Sequence, residues 1–200
     1  MRRIIAAAIL ALVITASAFA GYIGVEVGIG FNTRDIKIKN DKGEYIKKYT
    51  DNIGFTSLTA IGEIMDYAEE IGFGGEATFE MPLAWERYGK DLDLSDHGLS
   101  FRQACIYAII PSGIYYTSTF NVDAGIFYRR EALASQVGGH TCHSLGVMAK
   151  MEYVLDNPSF VIPRIGFKMQ MPLLSFTRGE TRVIVDGISI GAYVTIGFGE

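Results

Sequence analysis

His140, Cys142 and His143 lie close together, and imidazole and thiolate are good ligands for zinc or copper. A site would need a further ligand, and His97 is the one histidine left to supply it. The spacing matches no established ligand pattern, so polar residues opening a strand are the simpler reading. His143 and Ser144 suggest a second chemistry, that of a lipid hydrolase with a base and a nucleophile. Consecutive strand residues point to opposite faces, so these two cannot act as such a pair. The stretch Gly72-Phe73-Gly74-Gly75-Glu76-Ala77 fits G-x-G-x-x-A, but no helix pattern follows to offer its N-terminus to a phosphate. P-loop and H-E-x-x-H motifs are absent from the sequence. Neither a cofactor nor catalysis is expected.

The ionisable residues inside strand-like segments point elsewhere. Glu26, Glu76, Glu80, Asp123 and Glu152 sit on faces otherwise rich in glycine and small polar residues, as do Arg102, Arg129, Lys150, Arg164 and Lys168. The two signs balance. If these faces turn inward, the charges must pair, because an unpaired buried charge is costly. They are expected to form a salt-bridge network, with a narrow ion path or proton relay as the alternative.

Strand alternation is what would position them. The clearest case is 188–198, where Ile188, Ile190, Ala192, Val194, Ile196 and Phe198 alternate with Ser189, Gly191, Tyr193, Thr195 and Gly197. The pattern recurs over 22–31, 52–63, 71–81, 99–110, 114–128, 142–155 and 160–172, giving eight strands. The apolar face is read as Ile53, Phe55 and Ile61 in the second strand, and as Leu99, Phe101, Cys105, Tyr107 and Ile109 in the fourth. A tilted strand needs ~9–11 residues to cross a bilayer, and these have that length.

The connections alternate between long (32–51, 82–98, 129–141, 173–187) and shorter (64–70, 111–113, 156–159). Short periplasmic turns and long outer loops give that alternation in outer-membrane barrels. With both termini periplasmic, Phe31, Phe55, Phe79, Phe101 and Tyr128 sort to an outer belt. Phe73, Tyr107, Tyr116, Tyr153 and Phe198 sort to a periplasmic one. The predicted fold class is all-β, a closed antiparallel up-and-down transmembrane β-barrel of eight strands. Side chains just fill an interior of that size.

Arg2 and Arg3, the apolar run 4–14 and Ala18-Phe19-Ala20 make residues 1–20 a secretory signal peptide cut after Ala20. Residues 21–200 are left as one barrel domain. No later run approaches the ~18 apolar residues of a membrane helix. A formal charge of −4 argues against a nucleic-acid partner.

Taken together, the leader, eight alternating strands, four long loops and closing strand resemble the small eight-stranded outer-membrane barrels of Gram-negative-type envelopes. The likeness covers essentially all of 21–200. Ala192, Val194, Ile196 and Phe198 are similar to the assembly signal of that class, although Gly199 and Glu200 follow the final aromatic. The resemblance implies outer-membrane lipid and the barrel-assembly machinery as partners, and a role in envelope integrity or surface interaction. One alternative is passage of small apolar solutes through the barrel. Another is a soluble secreted barrel binding a hydrophobic ligand, whose apolar faces would turn inward.

The first long connection alternates again as Ile36-Lys37-Ile38-Lys39, then Asn40-Asp41-Lys42-Gly43, then Glu44-Tyr45-Ile46-Lys47. It reads as a hairpin that extends the first two strands above the membrane. Lys37, Lys39, Lys42, Lys47 and Lys48 there could meet a surface ligand such as lipid phosphate or acidic glycan, or simply keep the loop solvated. Cys105 is placed on the outward face and Cys142 on the inward face of a non-adjacent strand, so no disulfide is expected.

Overall fold

The computed structural model describes residues 21–40, 42–66, 71–87, 90–91, 101–115, 118–132, 141–155, 161–177 and 182–199. Its strands are β1 (Gly21–Lys39), β2 (Tyr45–Asp66), β3 (Ile71–Arg87), β4 (Lys90–Asp91), β5 (Phe101–Tyr115), β6 (Ser118–Ala132), β7 (Thr141–Leu155), β8 (Val161–Thr177) and β9 (Arg182–Gly199). The eight long strands pair antiparallel in the order β2-β1-β9-β8-β7-β6-β5-β3, and β3 pairs back to β2. The ring is therefore closed, and only the two-residue β4 stands outside it. Closure satisfies the ladder groups that an open sheet would leave at its edges, which is the condition for a sheet within lipid.

The sides of the wall differ in chemistry. Val25, Val27, Ile29 and Phe31 of β1 face outward, as do Leu145, Val147 and Met151 of β7, and Ile165, Phe167, Met169 and Met171 of β8. On β9, Ile190, Val194, Ile196 and Phe198 are half-exposed on the same outer surface. A soluble monomer rarely exposes apolar patches beyond a few hundred Å². This apolar band runs round the ring, as lipid contact requires. The soluble alternative fails on this point, because the large apolar side chains mostly point out and the charges point in.

Two strands have the opposite facing from that predicted. On β2, Ile53, Phe55 and Ile61 are buried in the lumen together with Asp51, Thr59 and Glu63. On β5, Cys105, Tyr107 and Ile109 are likewise inside, whereas Ile106 is exposed. Phe55 and Tyr107 are thus lumen residues and not belt residues, and Cys105 is not on the lipid face. The reason is that many outward positions of these strands hold small groups, Gly54, Thr56, Ala60 and Gly62 on β2 and Ala104 and Ala108 on β5, with Leu58, Ile64 and Ile106 as the large apolar residues among them. Hydrophobic size alone therefore selected the wrong face. Leu99, Tyr116 and the side chain of Phe101 lie outside the described residues.

The predicted turn at Pro111–Gly113 is instead part of β5, where the register shifts and Ser112 is the extra residue. Similar shifts leave Leu83 extra beside Pro82 on β3 and Leu173 extra beside Pro172 on β8. Proline lacks the N–H that a ladder needs, so a bulge is where a strand tolerates it.

Glycines on the inner wall make room for rings from neighbouring strands. A Cβ on Gly146 would stand 2.6 Å from the Phe127 ring, and one on Gly166 would stand 2.5 Å from the Tyr193 hydroxyl and 2.4 Å from the Met151 carbonyl oxygen. Since the last obstacle is backbone, Gly166→Val is expected to cost about 1–3 kcal/mol through overpacking. A lowered urea midpoint in detergent micelles checks this.

Candidate functional site, a lumen packed with ion pairs

Inward side chains from all eight long strands meet in two polar tiers. In the tier nearer the termini, the Lys168 ammonium lies 2.9 Å from Glu26 and 2.8 Å from Glu76. Lys150 lies 3.2 Å from Glu152, 3.6 Å from Glu76 and 3.9 Å from Asp123. Arg164 bridges Glu63 at 2.5 Å and Glu152 at 3.2 Å. Tyrosines complete the tier. Tyr107 donates to Glu63 and Tyr193 donates to Glu152, while the Arg164 guanidinium stacks 3.5 Å from the centre of the Tyr22 ring. The aromatic faces offset part of the desolvation of these cations.

In the outer tier, Arg129 donates to Glu80 at 3.0 Å, to Gln103 at 3.0 Å and to Gln170 at 2.9 Å. Glu131 lies between Arg129 and Arg34, pairing with both. Higher still, Arg87 makes a two-pronged bond to Asp51 at 2.7 and 2.8 Å. The fork geometry of guanidinium and carboxylate makes such pairs the strong ones. Above these charges, Ile36, Ile38, Cys142, Val183 and Val185 form an apolar plug, with Tyr49 packed against it.

All the predicted inward charges except Arg102 lie in this lumen. The Arg102 backbone pairs with Phe79 and Arg130, and its side chain lies outside the described residues. Glu63, Asp51, Arg34, Glu131 and Arg87 join the network without having been anticipated. Arg34 and Glu131 follow the inward parity of β1 and β6 past the expected strand ends, so longer strands would have revealed them. The parity of Glu63 on β2 carried the same information.

Between the tiers, a gap beside Glu26, Ser57, Glu80 and Lys168 has about 20 Å³ of space for a water centre. That suits a water molecule and not a solute. A second gap, beside Asn32, Arg34, Arg129 and Glu131, has about 10 Å³ of such space.

The other candidate chemistries separate in space. Cys142 points inward and is fully buried, whereas His143 points outward, so the two cannot share a metal ion. His97 and His140 lie outside the described residues. Ser144 faces the lumen 3.4 Å from Ser175, on the side opposite His143. His143 instead contacts the Tyr128 hydroxyl at 2.6 Å and stacks on Phe176, as an interfacial aromatic column would. Cys105 and Cys142 are both free thiols, in separate buried clusters.

The hairpin above the membrane forms as the alternation suggested. Lys37 pairs with Lys48 and Ile38 with Lys47, and Gly43 turns the chain at φ 81°. Lys37 donates to Asp186 at 2.7 Å, and Lys39 and Lys48 cover the Tyr45 ring at 4.5 and 4.3 Å. Lys42 and Lys47 are exposed. On the closing strand, Val194, Ile196 and Phe198 face lipid, with Ala192 on the same side.

No protein-family model matches the sequence, and no curated protein matches it. Solved structures do resemble the fold. Neisserial surface protein A is 10% identical, with a TM-score of 0.56 over 90% of this chain and 97% of its own. The outer membrane protein OprG from Pseudomonas aeruginosa is 14% identical, with a TM-score of 0.55 over 91% of this chain and 98% of its own. The fold is that of the small eight-stranded outer-membrane barrels.

Proposed function

We propose that this chain is an integral outer-membrane barrel, exported by a signal peptide cut after Ala20, that has no catalytic role and serves envelope integrity or surface interaction. The observation that carries this reading is sidedness, with an apolar outer band around a lumen filled by ion pairs. A filled lumen disfavours solute passage. It suits a rigid support that holds the β1–β2 ribbon away from the membrane. Above Phe31, eight residues of β1 continue to Lys39, on the order of 26 Å of strand at ~3.3 Å per residue. Lys42 and Lys47 at its tip are the residues proposed to meet an anionic surface ligand. The alternating end of β9 fits recognition by the assembly machinery. The description of one structural neighbour as a surface protein supports the same placement.

An epitope inserted between Lys42 and Gly43 tests the reading in cells. Antibody should label intact cells, and the mature protein should begin at Gly21 by mass. Labelling only after lysis, with the protein in the soluble fraction, would overturn it.

A further inference from the structure

Glu63, Asp123 and Glu152 are buried and bring carboxylate oxygens within 4.8 Å of one another. Both oxygens of Glu63 have partners in Tyr107 and Arg164, and those of Glu152 in Tyr193, Lys150 and Arg164. Asp123 differs. It is 0% exposed, and neither of its oxygens receives a hydrogen bond. The Lys150 ammonium stops 3.9 Å short of it. Asn121, next on the same inward face of β6, is also buried and has an unpartnered Oδ1. Buried polar groups without partners are rare and costly, and a charged one more so.

The charges of the tier point the same way. Glu26, Glu63, Glu76, Asp123 and Glu152 face Lys150, Arg164 and Lys168, which leaves two negative charges in excess among the described residues. The outer tier is balanced, with Asp51, Glu80 and Glu131 against Arg34, Arg87 and Arg129. The deficit therefore lies where the unpartnered carboxylate is.

We propose that the lumen binds a divalent cation of the calcium class among Glu63, Asp123 and Glu152, with Asp123 as the anchoring ligand. The donor set is all oxygen, which selects a hard cation. Ligands on one calcium ion stand at most about 4.6–5.2 Å apart, given bonds of 2.3–2.6 Å, and the oxygens of this cluster all lie within 4.8 Å of one another. Magnesium gives up its water reluctantly and demands a tight octahedron, so a buried site built from carboxylate oxygens disfavours it. Two positive charges match the deficit. The cation would tie β2, β6 and β7 together across the lumen.

The test uses the mature chain refolded in detergent micelles, with calcium, with magnesium and with chelator. Elemental analysis after gel filtration should find one calcium per chain, and chelation should lower the unfolding temperature by several degrees. Asp123→Asn should hold no calcium and unfold at the same temperature with or without it. In chelator this variant should be at least as stable as wild type, because it removes an unpaired buried charge, and that separates lost binding from a failed fold. The proposal is overturned if wild type holds no calcium and ignores chelator, in which case a proton neutralises Asp123. It is also overturned if calcium and magnesium stabilise wild type and variant alike.

Discussion

Lys150→Met is expected to destabilise the barrel by about 3–5 kcal/mol, the cost of breaking a buried ionic cluster from one side. Lys150 is fully buried and lies within ion-pair distance of Glu76, Asp123 and Glu152. Methionine keeps the length and apolar stem, so packing changes little and the effect reports on charge. The loss comes mainly from the carboxylates left behind. Lys150→Met combined with Glu152→Gln should therefore recover part of the stability, even though it removes a second charged partner. Urea titration in micelles of wild type, both single variants and the double variant gives the coupling. A single-variant cost below about 1 kcal/mol, the range of an exposed pair, would mean that the lumen is wet and the tier is not a sealed core.

Val194→Lys is expected to cost about 2–4 kcal/mol, the penalty for a cation near the midplane of a barrel's lipid face. Val194 is 50% exposed and sits in register between Val27 of β1 and Ile165 of β8, both outward and apolar. The ammonium would have to reach past Ile196 and Phe198, or Ile190, to find a headgroup. Thr33→Lys provides the depth control. Thr33 is exposed on the outward face of β1 just beyond Phe31, where the penalty falls to about 0–1 kcal/mol. If the outer face met water, both substitutions would fall within about 0.5 kcal/mol of zero. The comparison needs equal amounts of folded protein, read from refolding yield before the titration.

Legibility from sequence varied with what each strand set against lipid. On β9, large apolar residues alternate with glycine, serine and threonine, so size and polarity give the same facing. On β2 and β5 the two criteria conflict. The outward side mixes glycine, alanine and threonine with Leu58, Ile64 and Ile106, and the lumen takes Ile53, Phe55, Tyr107 and Ile109. There the polar residues were the better guide, because Glu63 and Gln103 share the inward parity and a buried charge tolerates only the lumen. The charge-filled interior was foreseeable from its members on β1, β3, β6, β7 and β8. Its partners Arg34 and Glu131 were missed because the strands outrun the bilayer, and membrane thickness had set the expected length. Tyr22 and Tyr193 belong to neither aromatic belt, because both are buried in the lumen. Their rings lie over inner-wall glycines, and their hydroxyls serve as lumen hydrogen-bond donors. Strand separations across the lumen exceed a hundred residues in the Arg164–Glu63 and Lys168–Glu26 pairs. Such pairings follow from ring closure and are invisible to local pattern.

Gel migration of the mature chain, boiled and unboiled after refolding into micelles, tests most directly whether this is a closed membrane barrel. A closed barrel held by its ladder and its ion-paired core resists SDS, so the unboiled protein should run faster than the boiled one. Folding should occur only when micelles are present to cover the apolar band. Identical migration, together with native structure in plain buffer, would contradict the account and return the chain to the soluble ligand-binding barrels.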